Sequence, residues 1–256
     1  MSFTHALRIA GYNRRLYAAA VVGIAAGAVL TLLPAIPPLL RFAACAGIAV
    51  AAWFSVASFW AFHLMFDRSP LLSGRWLIEE IPGPPARWIQ INAGLEETTL
   101  PLQEIFPNSE GRMLDIYSPE TMTEPAITRA RQRGGGPAAV AAQPDALAVE
   151  NGWAELVVVM LAAHEIRDIA VREKFFHELA RIVSPDGRIV LVEHLRDLIA
   201  AVAFGPGAFH FLARREWVRL AGLAGLELEG ERHITPFVRV FILRLPLASK
   251  LPAPQV

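Results

Sequence analysis

The apolar positions of this chain follow two different patterns, and the change between them divides the molecule. Residues 17–36 contain no Lys, Arg, Asp or Glu. At helical rise, a run of about 20 residues spans the hydrocarbon core of a bilayer. A second such run covers residues 42–66 and ends at Asp67-Arg68. Between them stands Ala35-Ile36-Pro37-Pro38, whose prolines end a helix and permit a tight reversal. The pattern predicts a two-helix transmembrane hairpin over residues 17–66, preceded by a segment at 1–16. An unusually apolar core layer is the alternative. A cleaved signal peptide fits poorly, because the run is too long and a second follows at once.

Beyond a linker at 67–86 the spacing becomes that of alternating strands and helices. Within the linker, residues 75–81 with Trp76 have the makings of a helix at the membrane interface, where tryptophan concentrates. Residues 88–92, 112–116, 138–142, 156–161 and 188–193 read as strands. The fourth is almost wholly aliphatic, as in a strand covered on both faces. Helical spacing occurs at 97–106, from Ser118-Pro119-Glu120 through Ile127, at 175–183 and at 217–224. Residues 226–233 and 238–245 look like a closing antiparallel pair. This order predicts an α/β domain over 87–246, a doubly wound, mostly parallel seven-stranded sheet, followed by a tail at 247–256.

Composition adds orientation and exclusions. Lys plus Arg number 24 and Asp plus Glu 24, so no net basic charge points to nucleic acid. Arg8, Arg14 and Arg15 precede the first apolar run, and Arg68, Arg75 and Arg87 follow the second. The turn between them holds only Arg41, which places both ends and the α/β domain on the cytoplasmic side. Cys45, the single cysteine, cannot form an internal disulfide. Gly23 and Gly27 have the spacing that lets another membrane helix approach, either within the hairpin or from a partner.

Four features give the domain a resemblance to the class I, Rossmann-like S-adenosylmethionine-dependent methyltransferases. The segment 153–194 has the family's order of strand, loop, helix, turn and strand. Its Ser184-Pro185-Asp186-Gly187 matches the usual Pro-Gly turn, where Gly187 is expected to supply a permissive dihedral. Asp115 stands where the family has an acid that accepts from the ribose hydroxyls of the cofactor. Asp145-Ala146 is similar to the pair that meets the adenine. The closing helix and two strands match the family's reversed last strand.

The resemblance implies S-adenosylmethionine as cofactor and places Gln90, Asn92 and Gly94 in the cofactor loop. There the family has an acid followed by alternating glycines, and this chain has Gln90-Ile91-Asn92-Ala93-Gly94-Leu95-Glu96, with only Gly94 in register. Asn tolerates a left-handed backbone, and Glu96 is placed to face the amino group of the methionine tail.

Ligands of doubly wound sheets sit at the carboxyl ends of strands. That rule singles out His164 as catalytic proton acceptor, Glu165 beside it, and Glu193-His194 at the end of the fifth strand as substrate-binding residues. Phe209 and His210, in the aromatic segment 204–211, are expected to cover an acceptor, to touch the bilayer or to fill core. Two His/Glu pairs about thirty residues apart are no metal-ligand signature, so no metal is expected. The leading reading is a membrane-anchored methyltransferase acting on a lipophilic acceptor of the quinone, carotenoid or lipid type. The other is a membrane scaffold or binding protein that has kept the fold and lost the reaction, as the altered loop suggests.

Overall fold

The computed structural model describes residues 2–94, 98–133 and 139–246. Glu96, the first residue of the expected helix at 97–106, the glycine run 134–136, Ala138 and the tail 247–256 lie outside the described residues. Three helices come first: α1 (Thr4–Tyr12), α2 (Arg14–Leu32) and α3 (Pro38–Phe62). α2 and α3 pack side by side, and both are long and apolar enough to cross a membrane. Leu32, Leu39 and Phe42 are each more than 70% exposed. Gly27 is the point of close approach, since a β-carbon there would lie 2.9 Å from Ile48, whereas Gly23 faces open space. Gly27 therefore serves packing inside the hairpin, and Gly23 does not.

α1 was not evident from the sequence pattern. It is held by Asp67, whose Oδ1 accepts from the backbone N of His5 (3.0 Å) and whose Oδ2 accepts from that of Ala6 (3.2 Å). Two of the helix's orphan N–H groups are satisfied by a side chain remote in sequence.

The sheet has the order β3-β2-β1-β4-β5-β7-β6. Its strands are β1 (Arg87–Asn92), β2 (Glu110–Asp115), β3 (Val140–Ala141), β4 (Ala154–Met160), β5 (Val183–His194), β6 (Glu227–Thr235) and β7 (Val238–Arg244). β1 to β5 pair in parallel; β7 runs antiparallel to both β5 and β6. Alternation along the strands separates two cores. In β4, Val157 and Val159 join a cluster with Phe175, Phe176 and Trp217 from helices α6 (Ile169–Ile182) and α8 (Arg214–Leu223). Leu156, Val158 and Met160 face the other side, where Met65, Leu71, Trp76 and Leu77 cover them. Each such buried side chain contributes about 1.5–3 kcal/mol, which fixes the strand faces.

This second core corrects one expectation. Residues Arg75–Glu79 form a 3₁₀ turn whose Trp76 is 6% exposed and donates from Nε1 to Leu71 O at 3.0 Å. Trp76 is core and not an interfacial anchor, and the end of the hairpin forms part of the domain's covering layer.

Three further differences are local. The helix expected at 97–106 shortens to α4 (Leu102–Ile105), and the one expected from 118 begins at α5 (Pro125–Arg133), after a turn closed by Met122 N to Ser118 O (2.8 Å). The Pro-Asp-Gly reversal is instead an irregularity within β5, where the register against β4 shifts between Ala154 and Leu156. Gly187 has no left-handed backbone. It is needed for space: a β-carbon would lie 2.8 Å from Val183 Cγ2 and 3.0 Å from Ala154 O.

Candidate functional site

The carboxyl ends of β1 and β2 lie side by side, with Asn92 registered against Asp115. Gly94 follows with φ +81°, and a β-carbon there would collide with the guanidinium of Arg131 from α5. Arg131 Nη1 donates to Asp115 Oδ2, and its guanidinium lies over the ring of Tyr117, 4.3 Å from the centroid. Asp115 Oδ1 accepts from Tyr117 N at 3.0 Å. One carboxylate oxygen is thus committed to the backbone and the other to a side chain that is 36% exposed. The edge carries an acid and a glycine whose backbone only glycine adopts readily, the two features the resemblance implies for a cofactor. A ribose hydroxyl has to displace or share Arg131.

The other loop residues have different work. Gln90 is fully buried; its Nε2 donates to Thr98 O (3.1 Å) and its Oε1 accepts from Leu100 N (3.2 Å). Its amide holds the segment after the loop and is not turned toward a ligand. Asn92 remains in β1 without positive φ, and its Oδ1 accepts from Gly94 N (3.3 Å), bracing the turn. Asp145 faces Lys174, within the second turn of α6, at 3.5 Å.

The carboxyl ends of β4 and β5 gather the histidines. β4 ends at Met160 and is followed by Leu161, which has φ +49°, the only left-handed residue other than glycine among those described. A 3₁₀ turn, Ala163–Glu165, then presents His164 and Glu165. Glu193, wholly buried on β5, accepts from the backbone N of Ala163 at 2.8 Å through Oε1 and from His164 Nδ1 at 2.6 Å through Oε2. It does not line the cavity described below but holds the ring of His164 from behind. His164 Nε2 lies 3.2 Å from Glu165 Oε1, and His210 Nε2 lies 3.2 Å from the same oxygen.

Electrostatics follow from this arrangement. Burial opposes charge on His164, yet Glu193 and Glu165 outweigh it and push its pKa up to about 10. Burial alone would raise Glu165, but His164 and then His210 hold it well below the ordinary carboxylate range. Burial, reinforced by the charge of His164, pushes His194 down to about 3; its Nδ1 donates to Phe237 O at 3.0 Å. Both carboxylates thus favour a proton on His164, which argues against the role of proton acceptor expected of it. Glu165 Oε2 is buried without a hydrogen-bond partner.

A cavity of about 600 Å³ opens on this cluster. His164, Glu165, His194 and His210 line its polar end, and Tyr17, Phe54, Ser58 and Phe62 of the hairpin line its apolar end. The segment expected to cover an acceptor forms α7 (Leu198–Phe204) and a 3₁₀ turn, Gly205–His210. Gly205, at φ +55°, lets it lie against the ring of Phe54, since a β-carbon there would sit 2.9 Å away. Phe209 points outward, 76% exposed, and is not part of the cavity wall. Phe211 takes that place, its ring 4.7 Å from His194 and 5.9 Å from His164. Phe211, Arg131 and Arg167, which donates to His210 O at 2.9 Å, are the site residues that sequence reasoning missed. Phe211 alone carried a signal, two residues beyond Phe209 in the same aromatic run.

No family model matches the chain, and no curated protein sequence does. Solved structures do resemble it. A SAM-dependent methyltransferase from Aquifex aeolicus aligns with TM-score 0.52 and 11% identity over 71% of this chain and 91% of its own. A protein from Pyrococcus horikoshii OT3 aligns with TM-score 0.51 and 14% identity over 72% and 96%. The methyltransferase solved in complex with the Haloferax volcanii Trm112 activator gives 0.50 and 14% over 76% and 95%. At these identities the likeness is one of fold: the seven-stranded sheet with its reversed β7.

Proposed function

We propose that this chain is a membrane-anchored S-adenosylmethionine-dependent methyltransferase acting on a lipophilic acceptor of the quinone, carotenoid or lipid type. The observation that carries the reading is the cavity, which runs from the side chains of the apolar hairpin to the His164 cluster at the carboxyl ends of β4 and β5. An acceptor with a long apolar body and one reactive polar end matches that gradient. The exposed hairpin supports anchoring, because apolar patches of this extent rarely face water. Leu198, Val202 and Phe209 extend the same exposed surface beside α3, where Trp53 Nε1 donates to Val202 O (3.0 Å). The arginine distribution supports a cytoplasmic position for both chain ends and the α/β domain.

The cofactor, when bound, supplies an electrophilic methyl group on a sulfonium centre. Asp115 and Gly94 hold it, Asn92 braces the turn, and Gln90 supports that turn from below. The apolar end of the cavity orients the acceptor, Glu193 fixes His164, and the His164–Glu165 pair holds the acceptor hydroxyl at the polar end. Positioning does most of the work, since aligned reactants avoid a large entropic barrier.

The alternative, a scaffold without the reaction, is favoured by one observation: Arg131 on Asp115. One experiment separates the two. The full chain, purified in detergent and shown to be folded, is titrated calorimetrically with S-adenosylmethionine and S-adenosylhomocysteine. It is then incubated with methyl-labelled cofactor and membrane lipid extract. Micromolar binding and label in the organic phase support the enzyme; no binding at millimolar ligand establishes the scaffold.

A further inference from the structure

We infer that His164, Glu165 and His210 form a site for a divalent transition-metal ion at the polar end of the cavity. One ligand atom from each residue lies within 4.8 Å of the other two. The separations from Glu165 Oε1 to His164 Nε2 and to His210 Nε2 are both 3.2 Å. Ligands about 2.1 Å from a tetrahedral metal stand about 3.4 Å apart, so two edges of such a site are already formed. Two imidazoles and a carboxylate are a borderline donor set suited to zinc, cobalt or ferrous iron.

Three further observations point the same way. His164 Nδ1 is bound to Glu193 Oε2 at 2.6 Å, the carboxylate support that metal-binding histidines usually have on the ring nitrogen away from the ion. Glu165 is 4% exposed, and its Oε2 has no hydrogen-bond partner. Glu165, Glu193 and Glu124 (3.8 Å from His210 Nδ1) gather around the two imidazoles, with the guanidinium of Arg167 4.0 Å from Glu165. Arg167 Nη2 lies against both ring nitrogens of His210, 2.5 Å from Nε2, so its guanidinium has to swing away before that nitrogen binds a metal. The proton then on Nδ1 turns to Glu124.

The fourth position faces the cavity and fits an oxygen donor. Resting on the function proposed above, the site assigns the acceptor to the phenols or enols, whose oxygen a Lewis acid binds and acidifies. Metal and cofactor binding are measured separately, so either idea can fail alone. The full chain is stripped with chelator and titrated with Co²⁺, read by visible d–d absorption, and with Zn²⁺ in competition. The expected result is one tetrahedral Co²⁺ per chain, displaced by Zn²⁺. His210→Ala abolishes it, and His233→Ala, on exposed β6, leaves it intact. Glu193→Gln keeps the stoichiometry and weakens affinity 10- to 100-fold, as loss of such a support does. Absence of Co²⁺ absorption at millimolar metal in folded protein, or the same spectrum in His210→Ala, overturns the site. Metal binding without S-adenosylmethionine binding keeps the site and removes the methyltransferase reading.

Discussion

Arg131→Ala isolates the one contact that stands between Asp115 and a ribose. The ion pair joins a side chain 36% exposed to one 15% exposed. Pairs of that exposure are worth about 0.2–1 kcal/mol, and stacking of a cation on Tyr117 adds about 0.5–1 kcal/mol. A cofactor that has to displace Arg131 therefore binds about three- to thirtyfold more tightly once it is gone, taking about 1.4 kcal/mol per decade. Asp115→Ala acts in the opposite direction. Two hydrogen bonds to a carboxylate are worth about 1.5–3 kcal/mol each, so its loss weakens binding by about a hundredfold or more. The two changes touch, and they should not add: in the Asp115→Ala background, removing Arg131 has no further effect. Calorimetric titration of the four proteins with S-adenosylhomocysteine completes the cycle. A tenfold loss of affinity in Arg131→Ala alone would refute the reasoning, because Arg131 would then be a ligand of the cofactor and not its competitor.

Three other perturbations test the frame around the site. Gly187→Ala places a β-carbon 2.8 Å from Val183 Cγ2 and 3.0 Å from Ala154 O; overpacking of this kind costs about 1–3 kcal/mol, and an unchanged Tm would show that β5 relaxes without strain. Gln90→Leu keeps the volume but strands Thr98 O and Leu100 N, at about 1–3 kcal/mol for each buried group. Its Tm should fall, and cofactor affinity with it; unchanged affinity would separate Gln90 from the loop's function. Asp67→Ala removes the acceptor for two N–H groups of α1, a loss of about 1–2 kcal/mol by comparison with helix caps. Limited proteolysis should then cut within residues 4–12 faster than in the parent chain, and equal rates would mean that α1 is held by its other contacts.

Much of the fold was legible because its causes are local. The aliphatic runs in β4 and β7 report burial directly, and every strand expected from spacing exists. The ends shifted where distant contacts decide them. β5 extends back to Val183 because Ala154 pairs with that residue across a register shift, and nothing in Pro185-Asp186-Gly187 announces it. Trp76 was misplaced for the same kind of reason: a tryptophan after an apolar run suits an interface equally well, and only the face of β4 beneath it makes it core.

The site divides along the same line. Strand ends are readable, so His164, Glu165, Glu193 and His194 were named, while their division of labour was not. Glu193 and Glu165 are both acidic neighbours of histidine in sequence, yet Glu193 is wholly buried behind His164, whereas Glu165 lines the cavity and keeps one buried oxygen without a hydrogen-bond partner. The alternation along β5 explains the difference. Val190 and Val192 face the core that includes Met65 and Trp76, whereas Ile189 and Leu191 face the helices α6 and α8. Glu193, next in the second series, is thereby carried beneath the Ala163–Glu165 turn, where two backbone N–H groups and an imidazole neutralise it. His210 reaches the cluster only because the insert is closed at its base by the pairing of Leu195 with Leu212. That closure brings together residues 45 positions apart, His210 and Glu165. His164, Glu165 and His210, unrelated by spacing, thus meet in space beside a cavity that the hairpin also lines.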